Sequence, residues 1–143
     1  MLKIKKLRDS AKVPKYATEG AAGLDLSADI EDVIELRPRE RALVPTGLAF
    51  EIEEGKVGLV FARSGLGIKK GISLANGVGV IDCDYRGEVK CGLINLSDES
   101  YYIQPGDRIA QMVIMPYFHE DLVEVDELND TVRADGGFGS SGR

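Results

Sequence analysis

Apolar positions along the chain fall in short runs broken by turn-forming residues, the pattern of a protein built from many β-strands. The runs are Lys3 to Leu7, Val33 to Leu36, Ala42 to Val44, Leu48 to Ile52, Val57 to Phe61, Gly87 to Leu96, Tyr101 to Ile103, Arg108 to Tyr117 and Leu122 to Val125. Between them stand Pro38-Arg39-Glu40-Arg41, Glu53-Glu54-Gly55, Ser97-Asp98-Glu99-Ser100 and Pro105-Gly106-Asp107, which mark turns. Nine or more short strands fit a sandwich or jelly roll. No window holds apolar residues at i, i+3, i+4 and i+7 over a long stretch. The one helix expected is a turn or two after Ser64, through Gly65 to Lys70. No internal repeat and no domain boundary interrupts the pattern.

Length and charge narrow the function without naming it. The 143 residues make one domain, able to bury about two-thirds of the surface its unfolded form exposes. With 43% hydrophobic and 29% charged residues, the composition is that of a globular protein. A net charge of −6 repels nucleic acid, and the patch Lys3, Lys5, Lys6 and Arg8 is too short to reverse it, so no nucleic-acid partner is expected. Any anionic ligand must be met locally. The opening MLKIKKLRDS lacks the apolar stretch of a signal peptide or membrane span, so the expectation is a cytoplasmic protein with no membrane partner. Cys83 and Cys91 stand eight apart with no CxxC, and His119 is the only histidine, which argues against zinc. The spacing leaves a disulfide open, and the expectation is two buried thiols on a strand pair, without catalytic role.

Seventeen glycines exceed average usage, and a protein of tight turns explains only part of them. Many lie beside Asp25, Arg63-Ser64, Asn76, Asp82, Gln111 or Ser140-Ser141. The tail Arg133 to Gly142 offers a cation, unhindered backbone N–H groups, two hydroxyls and Phe138, which together make an anion cradle with a stacking face. It is not a Walker loop, because Gly142 is followed by Arg143 rather than by Lys and Ser or Thr. The bland alternative is a loose terminus, against which Phe138 argues.

Four further stretches carry polar chemistry. Residues 76–88 read as a hairpin with Asp82, Asp84 and Tyr85 at its tip, either a general base beside a polyphosphate or an Asp-rich turn. Arg63-Ser64-Gly65 ends a strand before the short helix, which makes a phosphate site or a plain N-cap. In Pro105 to Ile114, alternation puts Gln111 on the face of Ile109 and Val113, where it needs a polar partner, while Asp107 and Arg108 read as an ion pair. Asp25 lies between Leu24 and Leu26, as a turn cap or a metal–water contact.

Taken in order, A-G-L-D-L (22–26), R-S-G (63–65), N-G-V-G-V-I-D-x-D-Y-R-G-E (76–88), G-D-R-I-A-Q (106–111) and R-x-x-G-G-F-G-S-S-G (133–142) resemble the five motifs of the trimeric deoxyuridine triphosphatases. The resemblance implies an all-β, distorted jelly roll of the β-clip type with one short helix and a flexible C-terminal arm. Residues 1–132 would form the β domain and 133–143 a glycine-rich lid. The activity implied is hydrolysis of dUTP to dUMP and pyrophosphate, which limits uracil incorporation into DNA and supplies dUMP for thymidylate synthesis.

Carried over by position, Asp82 would activate the attacking water, and Gln111 would hold phosphate or water near it. Tyr85 would pack under the deoxyribose and exclude a 2′-hydroxyl. Asn76, with the backbone along Gly79, Val80, Ile81 and near Lys90, would read the uracil. Arg63, Ser64 and Gly65 would hold phosphates. Arg133, Phe138, Gly139, Ser140 and Ser141 would close over the substrate, with Phe138 on the uracil and Arg133 on the γ-phosphate. Asp25 would touch Mg²⁺ only through water, the ion being chelated by the triphosphate. The implied assembly is a homotrimer with shared sites, so that a monomer has no complete active site. Cys83, where a small residue is usual, and Ser141, where Thr also occurs, are the departures. The rivals are a dCTP deaminase of the same fold, for which Glu88 is the one spare carboxylate in the hairpin, and a nucleotide-binding module without hydrolysis.

Overall fold

The computed structural model describes residues 1–132, 134 and 135. Eleven strands and one helix follow in the order β1 (Lys3–Lys6), β2 (Leu24–Ser27), β3 (Ile34–Leu36), β4 (Arg41–Pro45), β5 (Leu48–Glu51), β6 (Lys56–Phe61), α1 (Ser64–Lys70), β7 (Ile72–Leu74), β8 (Gly79–Ile81), β9 (Lys90–Asn95), β10 (Tyr101–Ile103) and β11 (Arg108–Pro116). They pair antiparallel into a four-stranded sheet β2-β11-β6-β8, a three-stranded sheet β4-β9-β7, and the ribbons β1-β5 and β3-β10. Among the described residues, no two strands consecutive along the chain pair with each other. The result is the expected distorted jelly roll with one short helix.

Alternation decides which side chains build the core. Leu24 and Leu26 of β2, Val60 of β6 and Met112 of β11 point inward, as do Val44 of β4 and Cys91 and Leu93 of β9. Their two layers close on Phe50, Leu36, Ile72 and Ile103. A fully buried polar residue, Asn95, sits among them and is satisfied on every side. Its Nδ2 donates to the carbonyls of Leu36 (2.8 Å) and Glu99 (2.7 Å), and its Oδ1 accepts from the N–H (2.9 Å) and hydroxyl (2.7 Å) of Ser97.

Several sequence expectations are corrected. Residues 76–88 do not form a hairpin, because β8 joins β6 while β9 joins β4 and β7 in another sheet. The stretch 82–89 is therefore a crossing between sheets. Leu122 to Val125 forms no strand and is exposed, since β-propensity makes no ladder without a neighbouring strand to pair with. Conversely, β2 and β7 are strands that the apolar runs do not include. The cysteines are not two buried thiols on a strand pair. Cys91 is buried on β9, whereas Cys83 is half-buried in the crossing, with its Sγ 3.9 Å from the Tyr117 hydroxyl.

Candidate active site

The register of the four-stranded sheet places the polar candidates. Gln111 on β11 lies opposite both Asp25 on β2 and Phe61 on β6, so these three share the outward face, with Leu24, Val60 and Met112 on the core side. A bulge between Arg108 and Ala110 resets the alternation, so Ile109 turns inward and leaves the face that Gln111 and Val113 share. The partner Gln111 needs is the Ala62 carbonyl, to which its Nε2 donates at 3.0 Å. Gly23 leaves room for that side chain, since a Cβ there would lie 2.7 Å from Gln111 Oε1.

Asp25 neither caps a turn nor stands free. Its Oδ1 accepts from Arg63 Nε at 2.8 Å and its Oδ2 from Arg108 Nη1 at 2.9 Å. The expected Asp107–Arg108 ion pair is absent from the described contacts, and the Asp107 carboxylate instead accepts the Gln104 N–H at 2.9 Å. Arg108 is thus a site residue that sequence reasoning missed. Placed just before the bulge, it has no face that alternation could assign. Ser64 is the first residue of α1 rather than its N-cap, a position Arg63 takes without a side-chain cap bond. Gly65 adds no side chain over the helix start, and no atom approaches the space its Cβ would fill. Asp25, Arg63, Ser64, Gly65, Arg108 and Gln111 together line a cleft of about 630 Å³. With two guanidinium groups against one carboxylate, this cleft is cationic and suits an anion.

A second cleft, of about 390 Å³, is lined by Val80, Ile81, Asp82, Tyr85, Glu88 and Lys90 along β8, the crossing and the start of β9. Val80 is exposed, and Asp82 follows directly on the last residue of β8. The Tyr85 hydroxyl donates to the Glu88 carbonyl at 3.0 Å, and the ring lies so close to Gly87 that a Cβ there would sit 2.6 Å from Tyr85 Cζ. Asn76 stands on the exposed turn between β7 and β8, its amide nitrogen 3.8 Å from where a Gly79 Cβ would be. Among the described residues the two clefts share no lining residue, so the chain by itself does not bring Gln111 to the cleft of Asp82. Arg133, Phe138, Gly139, Ser140 and Ser141 lie outside the described residues.

Electrostatics marks groups held in structural roles. Burial raises the Glu88 carboxyl, but hydrogen bonds from Arg8 and from the Gly47 N–H outweigh it and hold the group below its ordinary range, ionised. Arg8 is raised in turn, chiefly by Glu88 and then by Asp29. Burial alone pushes the Cys91 thiol up to about 12, which leaves it no thiolate with which to act as a nucleophile near neutrality. Among the described residues no group of three or more His, Cys, Asp or Glu is placed to hold a metal. Asp25, the carboxylate of the larger cleft, has both oxygens on arginines. This donor set does not fit a metal caged by protein carboxylates.

A family model described as dUTPase matches residues 9–142. The deoxyuridine 5′-triphosphate nucleotidohydrolase of Hydrogenobaculum sp. (strain Y04AAS1) is 54% identical over 141 residues, covering 99% of this chain and 97% of that protein. The dUTPase of Staphylococcus bacteriophage 80alpha, solved as a mutant with dUpNHpp, superposes with a TM-score of 0.91 at 30% identity, covering 100% of this chain and 99% of that one. A mutant dUTPase from phage phi11 of S. aureus, solved to show the coordination of a structural Mg(II) ion, superposes with a TM-score of 0.80 at 27% identity, covering 89% and 97%.

Proposed function

The chain belongs to the dUTPase family and hydrolyses dUTP to dUMP and pyrophosphate, and on that premise we propose how its own residues divide the work. The observation that carries the assignment is the sorting of the candidates into two clefts of different chemistry, one with the Asp82 carboxylate, unpaired among the described residues, beside the partly exposed Tyr85, the other cationic. In the first, the backbone of Gly79, Val80 and Ile81 reads the uracil, aided by Asn76 and by the chain near Lys90, and Tyr85 lies under the deoxyribose. In the second, Arg63, Ser64 and Gly65 hold phosphate oxygens, and Gln111, braced on Ala62, presents its amide to phosphate or water. Asp82 takes a proton from the attacking water. The water oxygen then bonds to phosphorus, the α–β bridging bond breaks, and the electron pair leaves with pyrophosphate. Arg133, Phe138, Gly139, Ser140 and Ser141, within a lid spanning 133–143 beyond a β domain of 1–132, close over the substrate.

Because one chain separates its two clefts, the working unit we propose is a homotrimer in which Asp82 of one copy meets Arg63 and Gln111 of another. Mg²⁺ is the family's usual cation. It would come in chelated by the triphosphate and would neutralise phosphate charge there, with Asp25 the residue that would reach it through water. No helix of the described residues is long and apolar enough to cross a membrane, and we place the enzyme in the cytoplasm. The deaminase reading loses its base, because the Glu88 carboxylate is already held by Arg8 and the Gly47 N–H. Pyrophosphate release measured across dUTP, dCTP, dTTP and UTP with Mg²⁺ tests the assignment. Turnover confined to dUTP is expected, and ammonia release from dCTP would overturn it.

A further inference from the structure

The crossing that carries Tyr85 is braced from a distance. Arg8, in the turn after β1, donates through Nε to Asp29 Oδ2 at 2.7 Å and through Nη2 to Glu88 Oε1 at 2.5 Å. The same Glu88 oxygen accepts the Gly47 N–H at 2.8 Å. The Asp29 and Glu88 side chains are only 5% and 14% exposed, so the fork of Arg8 binds two carboxylates that water scarcely reaches. Gly47 makes the approach possible. Its φ is +68°, and a Cβ would lie 2.9 Å from Asp29 Cγ and 2.6 Å from the Ala11 methyl. Beside it, the Thr46 hydroxyl donates to the Val89 carbonyl at 2.6 Å, and the Val89 N–H donates to the Leu48 carbonyl at 2.9 Å. Residues 88 and 89 are thus pinned by side chain and backbone together. Among the described residues, the one hydrogen bond that orients the tip of Tyr85 is accepted by the pinned Glu88 carbonyl, while the residue is 44% exposed.

From this chain of contacts we propose that Arg8 and Glu88 are positioning residues for Tyr85, and that the clamp they form with Asp29 and Gly47 sets how sharply the enzyme rejects a ribose. The inference rests on the reading of Tyr85 as the surface beneath the deoxyribose. Rejecting a substrate for one added hydroxyl requires a wall that does not yield. A half-exposed ring on a segment without ladder hydrogen bonds has that stiffness only if its anchor is fixed. Arg8 lines neither cleft and acts only through the Glu88 carbonyl and Tyr85.

The test compares kcat and KM for dUTP and UTP in the full-length protein. Arg8→Met should raise kcat/KM for UTP relative to dUTP by about tenfold, and Glu88→Gln, which keeps an acceptor for Gly47, by about threefold. In Arg8→Met the change should fall on KM, with kcat for dUTP held within about threefold. Adding Tyr85→Phe to Arg8→Met should give no further loss of selectivity, because the two changes break one pathway. Selectivity unchanged in both Arg8→Met and Glu88→Gln, while Tyr85→Ala loses it, overturns the clamp and leaves the Tyr85 reading standing. If Arg8→Met does not fold, Glu88→Gln decides alone. A Tyr85→Ala enzyme that still rejects UTP overturns the Tyr85 reading, and the clamp's role with it.

Discussion

At the scale of single residues, Asp82 and Gln111 carry the sharpest expectations. Asp82→Asn keeps the shape of the side chain but removes the proton acceptor. Turnover should fall by about 100-fold or more, while a non-hydrolysable dUTP analogue binds within about threefold of the parent by calorimetry. Activity within tenfold of the parent would assign the base elsewhere. Gly23→Ala tests Gln111 without touching it. The new methyl would sit 2.7 Å from Gln111 Oε1 and push the amide off its 3.0 Å bond to Ala62. The expected cost is about tenfold in kcat and about 1 kcal/mol in stability, read from steady-state kinetics and thermal melts. An unchanged kcat would show that this placement of Gln111 is idle. Residue types in motif were legible from the sequence, whereas partnerships were not. Arg108 stands next to Asp107 along the chain, yet the bulge after it sends its guanidinium to Asp25, 83 positions away. Arg8, read as part of a loose basic patch, is committed to Glu88 by a contact spanning 80 positions.

At the scale of elements, β4, β6 and β11 were legible almost to their ends, and so was α1, whereas the run read from Gly87 becomes a strand only at Lys90, because 87–89 belong to the crossing between sheets. What alternation cannot say is which strand pairs with which. Residues 76–88 therefore read as a local hairpin although β8 and β9 serve different sheets. Leu122 to Val125 shows the converse error, a strand-like composition with nothing beside it to pair with. The proposed lid is tested as an element. Deleting residues 133–143 should leave a body with the circular dichroism and melting temperature of the parent, because the core clusters lie between Ala11 and Met112. Hydrolysis of dUTP should fall by about tenfold or more, since closure over the substrate is lost. Unfolding of the shortened chain would show instead that the tail is part of the fold.

At the scale of the whole molecule, the separation of the two clefts makes an arithmetic prediction. Asp82→Asn and Arg63→Ala are each expected to be inactive alone. Unfolded together in equal amounts and refolded, they should recover about a quarter of parental activity if each site takes these residues from different copies, because random assembly leaves that share of sites with both intact. No recovery would place both residues in one chain's site. The absence of any pairing between consecutive strands has a further consequence, in the kinetics of synthesis. β2 must wait for β11, and Asp25 is made 83 residues before the Arg108 that holds it. At ribosomal speeds of roughly 5–20 residues per second, that gap is about 4–17 seconds, during which the edges of β2 have no ladder partner. With no hairpin between consecutive strands to nucleate early, the exposed edge of β2 should favour a holding chaperone until β11 emerges, and refolding in dilute solution is expected to be slow for the same topological reason.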